Sequence, residues 1–382
     1  MFYNISFIFP RFDFFRKDLM RDNIAMKELH IASENFAGVP YSLVRTERLA
    51  GIDSDIITLM PSQYGHPQEK TLDLPLFSGR IVKYLRKWTK SSATVDNTRY
   101  KGVQKPPIWN PSLSGKYLFS IRDKLWEHKL LNNNTIQSLD NYSAIILDGG
   151  VGFLRSGKFV LEWTEKHKNL ITIYYGSELR KRGVIKEIDD NAKYIFTFEF
   201  DHTLIHPRAK FLFYPFFADD MPSAEKIDDG KIRIGHSPTR RSTKGTEIIL
   251  DVLKKLSKRF KNIEIVLIEN LPYDIALRKK SELDIFIDQL GELGYGISGL
   301  ESLAMGIPTV CQILPDFEKF LGEHPFVNAD EQNLEDVLME LIESPQMRTE
   351  FGEKGKLWVR KVHNPVDAIE PLLETYREEG WI

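Results

Sequence analysis

Asp284-Ile285-Phe286-Ile287, followed by Gly294-Tyr295-Gly296-Ile297-Ser298-Gly299-Leu300-Glu301 and then Ala304-Met305-Gly306-Ile307-Pro308-Thr309-Val310, reads as a buried strand, a glycine turn and a helix with a carboxylate in its first turn. Gly294 and Gly296 let the backbone turn sharply and approach a ligand with no Cβ in the way. Free N–H groups at the start of the following helix face an anion there, and Glu301 sits where a carboxylate accepts both hydroxyls of a ribose. A structural alternative stands beside this one. Ser298-x-x-Glu301 is also a capping box, in which Glu301 only satisfies backbone N–H groups.

Upstream lies the charge that a nucleoside diphosphate requires. Ile232-Arg233-Ile234-Gly235-His236-Ser237-Pro238 runs as a strand into a turn, and Thr239-Arg240-Arg241-Ser242-Thr243-Lys244-Gly245 leads into a helix over Thr246 to Leu256. Ile248, Ile249, Val252, Leu253 and Leu256 give that helix one apolar face. Arginine offers phosphate oxygens a planar fork and lysine a point charge, so Arg241 and Lys244 at a helix start suit a pyrophosphate, with Arg240 the alternative for the first role. For either residue alone, a solvated surface charge is the plainer reading.

The run from Gly235 through Arg241 to Lys244-Gly245, followed by Asp288-Gln289 and the Gly-Tyr-Gly to Glu301 segment, resembles the C-terminal half of retaining glycosyltransferases of GT-B architecture (family 4-like). Asn35-Phe36-Ala37-Gly38-Val39-Pro40 resembles that family's first glycine loop, and Tyr174-Tyr175-Gly176-Ser177-Glu178-Leu179-Arg180 its mid-domain strand-to-loop element. The resemblance implies an α/β fold of two Rossmann-like parallel-sheet domains facing across a cleft. It implies a UDP- or GDP-linked sugar as donor substrate, no cofactor or metal, and retention of configuration. Arg241 and Lys244 would stabilise the leaving diphosphate; Arg240, Gly245, Asn270, Leu271, Gly294, Tyr295, Gly296 and Glu301 would line the donor side. Gly38, Asp148, Gly149, Gly176 and Glu178, at strand ends of the first half, are the acceptor-side candidates. Two positions depart from the family's pattern. Leu293 stands where many members have a first Glu, with Glu292 one residue off register, and Ile146 and Asp148 stand where histidines are expected. A catalytically weakened nucleotide-sugar or glycan binder of the same fold is the resulting alternative.

The chain's 382 residues, 42% hydrophobic and 28% charged, suffice for two α/β cores. The expected division is an extension over 1–26, an acceptor domain over 27–217, a linker over 218–230, a nucleotide-sugar domain over 231–363, and a helix over 364–382 returning to the first domain. One cysteine, Cys311, excludes a disulfide framework. No apolar run has transmembrane length and the start lacks a signal-peptide pattern, which predicts a cytoplasmic protein.

Charge is unevenly spread. Residues 1–210 carry 31 Lys and Arg against 23 Asp and Glu, and the remainder 21 against 31. Much of the excess falls within 79–130, where two stretches read as basic amphipathic helices able to lie on an anionic membrane. A glycan or lipid-linked acceptor fits such a surface, whereas no motif supports nucleic acid as a partner. Gly152-Phe153-Leu154-Arg155-Ser156-Gly157-Lys158 has phosphate-loop spacing, but the next residue is Phe159 where Mg²⁺ ligation needs Ser or Thr. That leaves a phosphotransferase the weaker alternative. Asp53-x-Asp55 reads as a pair of turn carboxylates rather than a metal site.

Overall fold

Every strand of both sheets runs parallel, so each connection must cross back over a face and bury it. A computed structural model describes residues 26–75, 105–132, 134–225, 227–291 and 294–382. The expected extension up to residue 25, the first basic stretch, Glu292 and Leu293 lie outside the described residues.

The first sheet has seven strands in the order β3-β2-β1-β4-β5-β6-β7, with β1 Lys27–Ala32, β2 Asp53–Thr58, β3 Lys70–Thr71, β4 Ala144–Asp148, β5 Leu170–Tyr174, β6 Tyr194–Thr197 and β7 Ala209–Phe211. The second has five in the order β12-β11-β10-β8-β9, with β8 Ile232–His236, β9 Ile263–Leu267, β10 Ile285–Gln289, β11 Thr309–Cys311 and β12 Val327–Asn328. Central strands are buried throughout: β4 reads Ala-Ile-Ile-Leu-Asp and β10 Ile-Phe-Ile-Asp-Gln. Apolar residues on both faces of a strand leave room for helices on both faces of the sheet. Strand order reverses between β1 and β4 and again between β8 and β10. Ligands of open parallel sheets bind beyond the carboxyl ends of strands at such reversals.

One apolar cluster joins the two halves, containing Phe216, Ile369, Leu372 and Tyr376 together with Tyr295, Leu300, Leu303 and Phe317. The chain crosses between the sheets twice, and the crossings lie side by side, with the Phe216 N–H donating to the His363 carbonyl (3.0 Å). Beyond His363 the helices Pro365–Ala368 and Glu370–Glu378 pack on the first sheet's side. There the Tyr376 hydroxyl donates to Glu28 Oε2 (2.9 Å), and Glu379 pairs with Lys193 and Tyr194.

The second basic stretch forms the helix Leu113–Asn132, but its apolar residues do not gather on one side. Trp126 and Leu130 are buried, while Leu113, Tyr117, Ile121 and Leu125 lie exposed on another face, Leu113 at 85% and Tyr117 at 70%. The expected single apolar face is therefore replaced by two, one anchoring the helix and one open. Trp126 fixes the anchored side, its indole N–H donating to the Pro75 carbonyl (2.7 Å).

Candidate functional site

The carboxyl ends of β8 and β10 face those of the first sheet across a cleft of about 280 Å³. Lys244, Gly296 and Glu301 meet on its C-terminal wall, with Arg240, Asn270 and Leu271 beside them. The Lys244 ammonium lies 3.3 Å from Asp288 Oδ1. The other oxygen of Asp288 accepts the Gly296 N–H at 2.8 Å. Asp288, fully buried at the end of β10, thus fixes the cationic turn and the glycine turn relative to each other. A Cβ at Gly296 would stand 3.2 Å from Lys244 Nζ, so a side chain there would crowd the ammonium. Gly245 does not line the cleft. Its φ of +66° and the approach of a Cβ to 2.2 Å from the Leu290 carbonyl make it the close-packed joint between this turn and β10.

His236, at the end of β8, supports the same turn from below. The Ile287 carbonyl can only accept, so Nδ1 carries the proton (2.8 Å), and Nε2 accepts from the Thr246 hydroxyl (2.8 Å). Burial holds its pKa below the usual histidine range, in keeping with a neutral ring.

Arg241 is placed differently from Lys244. Its guanidinium forks onto Glu269 (2.9 and 2.8 Å) and reaches Glu247 (3.0 Å), and it does not line the cleft, whereas Arg240 does. Ser298 and Glu301 form no capping box. The helix Ile297–Met305 has Gly296 at its N-cap with no side-chain cap, and Lys280 donates to Ser298 Oγ (2.7 Å) and pairs with the Glu301 carboxylate. Gly294 and Tyr295 lie outside the cleft lining, where Tyr295 stacks on Phe326 and Phe317, with ring centroids 4.5 and 5.6 Å away.

Of the five acceptor-side candidates, only Gly176 lines the cleft. Glu178 accepts the N–H groups of Tyr175 and Gly176, holding that turn. Asp148 is buried between His30 Nδ1 (3.1 Å) and the Tyr175 hydroxyl. The Gly149 carbonyl accepts from Arg182 (2.6 Å), and Gly38, with φ +75°, packs on the His66 ring. These four support the wall without forming its surface. The surface itself comes from Tyr64, His66, Tyr175, Arg180, Glu199 and Tyr214.

The two walls touch at one end. The His66 ring packs on Tyr273 with centroids 4.4 Å apart, and the Tyr273 N–H donates to the Tyr64 carbonyl (3.3 Å). Burial and the adjacent Glu301 carboxylate push the Tyr273 hydroxyl's pKa upward. None of Tyr64, His66, Tyr273 and Lys280 stood out in the sequence. The turn-forming Tyr64-Gly65-His66-Pro67 was the available signal for the first two, while Lys280 closes an Arg278-Lys279-Lys280 run that reads as solvated charge.

Among the described residues, Glu28, His30 and Glu47 bring ligand-type atoms within 4.8 Å of one another, buried on the first domain's side. Their other contacts lie within the protein: His30 Nε2 is 2.8 Å from Glu47, His30 Nδ1 is 3.1 Å from Asp148, and Glu28 Oε2 accepts from the Tyr376 hydroxyl at 2.9 Å. Burial opposes a charge on His30, yet Glu47 and Asp148 against its two nitrogens hold its pKa well above the usual range. Burial and Glu47 likewise raise Glu28, which is held as the neutral acid. Asp53 and Asp55 are bridged by the Lys27 ammonium (3.2 and 3.3 Å). The Gly152–Lys158 stretch makes no phosphate cradle: Phe153 and Leu154 fill the core, and Lys158 pairs with Glu127 (2.5 Å).

No protein-family model and no curated protein sequence matches the chain. Solved structures do. Anabaena HepE, in complex with UDP and glucose, aligns with a TM-score of 0.55 at 12% identity over 92% of this chain and 100% of its own. Sucrose-phosphate synthase from Thermosynechococcus elongatus gives 0.58 at 11% over 93% and 99%. A TarM variant of S. aureus, in complex with fondaparinux, alpha-GlcNAc-glycerol and UDP, gives 0.56 at 11% over 91% and 99%. With two parallel-sheet domains facing across a cleft, the chain has the GT-B fold. At such identities the likeness is one of fold.

Proposed function

We propose that the protein is a glycosyltransferase that moves a sugar from a UDP- or GDP-linked donor to a hydroxyl of a glycan or lipid-linked acceptor, with retention and without a metal ion. The observation that carries this reading is the convergence of Lys244, Gly296 and Glu301 in one interdomain cleft, with Lys244 and Gly296 tied through Asp288. The nucleotide complexes of HepE, with UDP and with UDP-glucose, support a nucleotide-sugar partner for this fold.

In the proposed reaction the bond between the anomeric carbon and the diphosphate oxygen breaks, and negative charge grows on the leaving group. The Lys244 ammonium and the Arg240 guanidinium stabilise that charge where it develops, as a metal does in other transferases. Arg241 acts from behind by fixing Glu269, which lines the cleft. Glu301 receives the ribose hydroxyls. The acceptor enters along Tyr175, Arg180, Glu199 and Tyr214, and its hydroxyl proton passes to the leaving phosphate. The open Leu113, Tyr117, Ile121 and Leu125 face, with Lys116 and Lys124 beside it, would bring the protein to an anionic membrane carrying a lipid-linked acceptor.

Thermal unfolding with UDP, GDP, ADP and ATP, each with and without Mg²⁺, tests the reading. A ligand at 100 times its dissociation constant stabilises by about 2.7 kcal/mol. Metal-independent stabilisation by UDP or GDP is expected, and stabilisation only by Mg·ATP would sink the proposal. Nucleotide binding without release of UDP or GDP from any donor would identify a binder of the same fold.

A further inference from the structure

His363 sits where the two chain crossings meet, fully buried, and its ring bonds to two other segments at once. The Tyr214 carbonyl can only accept, so His363 Nδ1 carries the proton and donates to it at 2.8 Å. Nε2 of the neutral ring then accepts from the Tyr295 hydroxyl at 3.1 Å. Burial pulls the His363 pKa down to about 4, which keeps the ring neutral and this polarity fixed near neutral pH.

Each partner leads to a different wall of the cleft. Tyr295 precedes Gly296, whose N–H is held by the Asp288 carboxylate that also holds Lys244. Tyr214 donates from its hydroxyl to Glu199 Oε1 and the Tyr175 carbonyl, both at 3.1 Å, on the opposite wall. A continuous set of hydrogen bonds and backbone therefore joins Lys244 to Glu199 behind the cleft. The Tyr295 hydroxyl contributes nothing to the ring stacking on Phe317 and Phe326, so its one evident task is this bond to His363.

We propose that His363 is a positioning residue that ties the Gly294-Tyr295-Gly296 turn to the interdomain crossing, so that a ligand on Lys244 and Gly296 tightens the crossing and orients the opposite wall. This rests on the reading of that wall as the phosphate side of a nucleotide site. Tyr295→Phe removes one hydroxyl and leaves the aromatic packing in place. His363→Asn keeps a donor for the Tyr214 carbonyl and loses the acceptor for Tyr295.

The test is hydrogen exchange on the full chain with saturating UDP, or GDP if UDP does not bind, beside calorimetric affinities. In the wild type the nucleotide should slow amide exchange in 212–217 and 363–369 by about tenfold. In Tyr295→Phe, affinity should stay within about twofold while that protection disappears, and His363→Asn should behave likewise. Protection that persists in Tyr295→Phe at unchanged affinity overturns the proposal and leaves the nucleotide reading intact. Failure of both nucleotides to bind the wild type removes both. If His363→Asn does not fold, Tyr295→Phe alone decides.

Discussion

The Lys280 ammonium lies against the Glu301 carboxylate with both side chains almost wholly out of solvent, at 2% and 7% exposure. The Glu301 carboxylate is thus already neutralised from behind, which lets a charged group persist in a buried wall. Removing one partner of such a pair leaves the other as an uncompensated buried charge. Lys280→Met should therefore cost on the order of 3 kcal/mol in urea unfolding. Adding Glu301→Gln should recover part of that loss, since the residual charge goes with it. A cost below about 1 kcal/mol would mean the pair is solvated in solution.

Lys244 and Arg241 differ in what they face, and so should their variants. Lys244→Ala and Arg240→Ala should each weaken UDP binding by about tenfold or more, measured by calorimetry without metal. Arg241→Ala should weaken it by no more than about threefold, because its guanidinium is spent on Glu269 and Glu247. Equal losses for Arg241 and Lys244 would show that the guanidinium leaves Glu269 when nucleotide binds.

His363 gives stability a pH dependence of known sign. Its folded pKa of about 4 lies below the ordinary 6.5, so between these values the unfolded chain binds the extra proton. Its contribution is complete above pH 6.5 and is lost as pH falls towards 4, by on the order of 3 kcal/mol in all. Urea unfolding at pH 7, 5.5 and 4.5 should show a shallower acid loss for His363→Gln than for the wild type. Parallel curves would mean that the imidazole is not buried neutral.

The open face of the helix Leu113–Asn132 predicts association with anionic bilayers. Co-sedimentation with phosphatidylglycerol vesicles, but not with phosphatidylcholine alone, is expected at low salt. Tyr117→Glu combined with Ile121→Glu should abolish it while leaving UDP affinity unchanged. Retained association in that variant would assign it elsewhere on the protein.

The parallel two-sheet fold was legible through the family resemblance, which rests on short apolar runs each ending in a glycine turn. Gly296, Lys244 and Glu301 were legible as cleft residues because each belongs to the turn or helix start that follows a strand's carboxyl end, and the topology brings those ends together. What escaped depends on partners far along the chain. Arg241 is drawn aside by Glu269 after the next strand, and Asp148 is taken by His30 on one adjacent strand and Tyr175 just past the other. The Ser298 and Glu301 spacing suggested a cap, but Lys280 on the preceding helix competes for both side chains. Spacing within a segment carries no information about such neighbours.

The bond from Tyr376 to Glu28 joins the last helix to the second residue of the first strand. During synthesis the sheet that begins at Lys27 lacks this contact until Tyr376 has left the ribosome. The second sheet, whose strands all lie between these points, is free to fold earlier. The half of the molecule made first is thus the last to gain all its contacts, and a nascent chain stalled before Tyr376 would leave Glu28 without this donor.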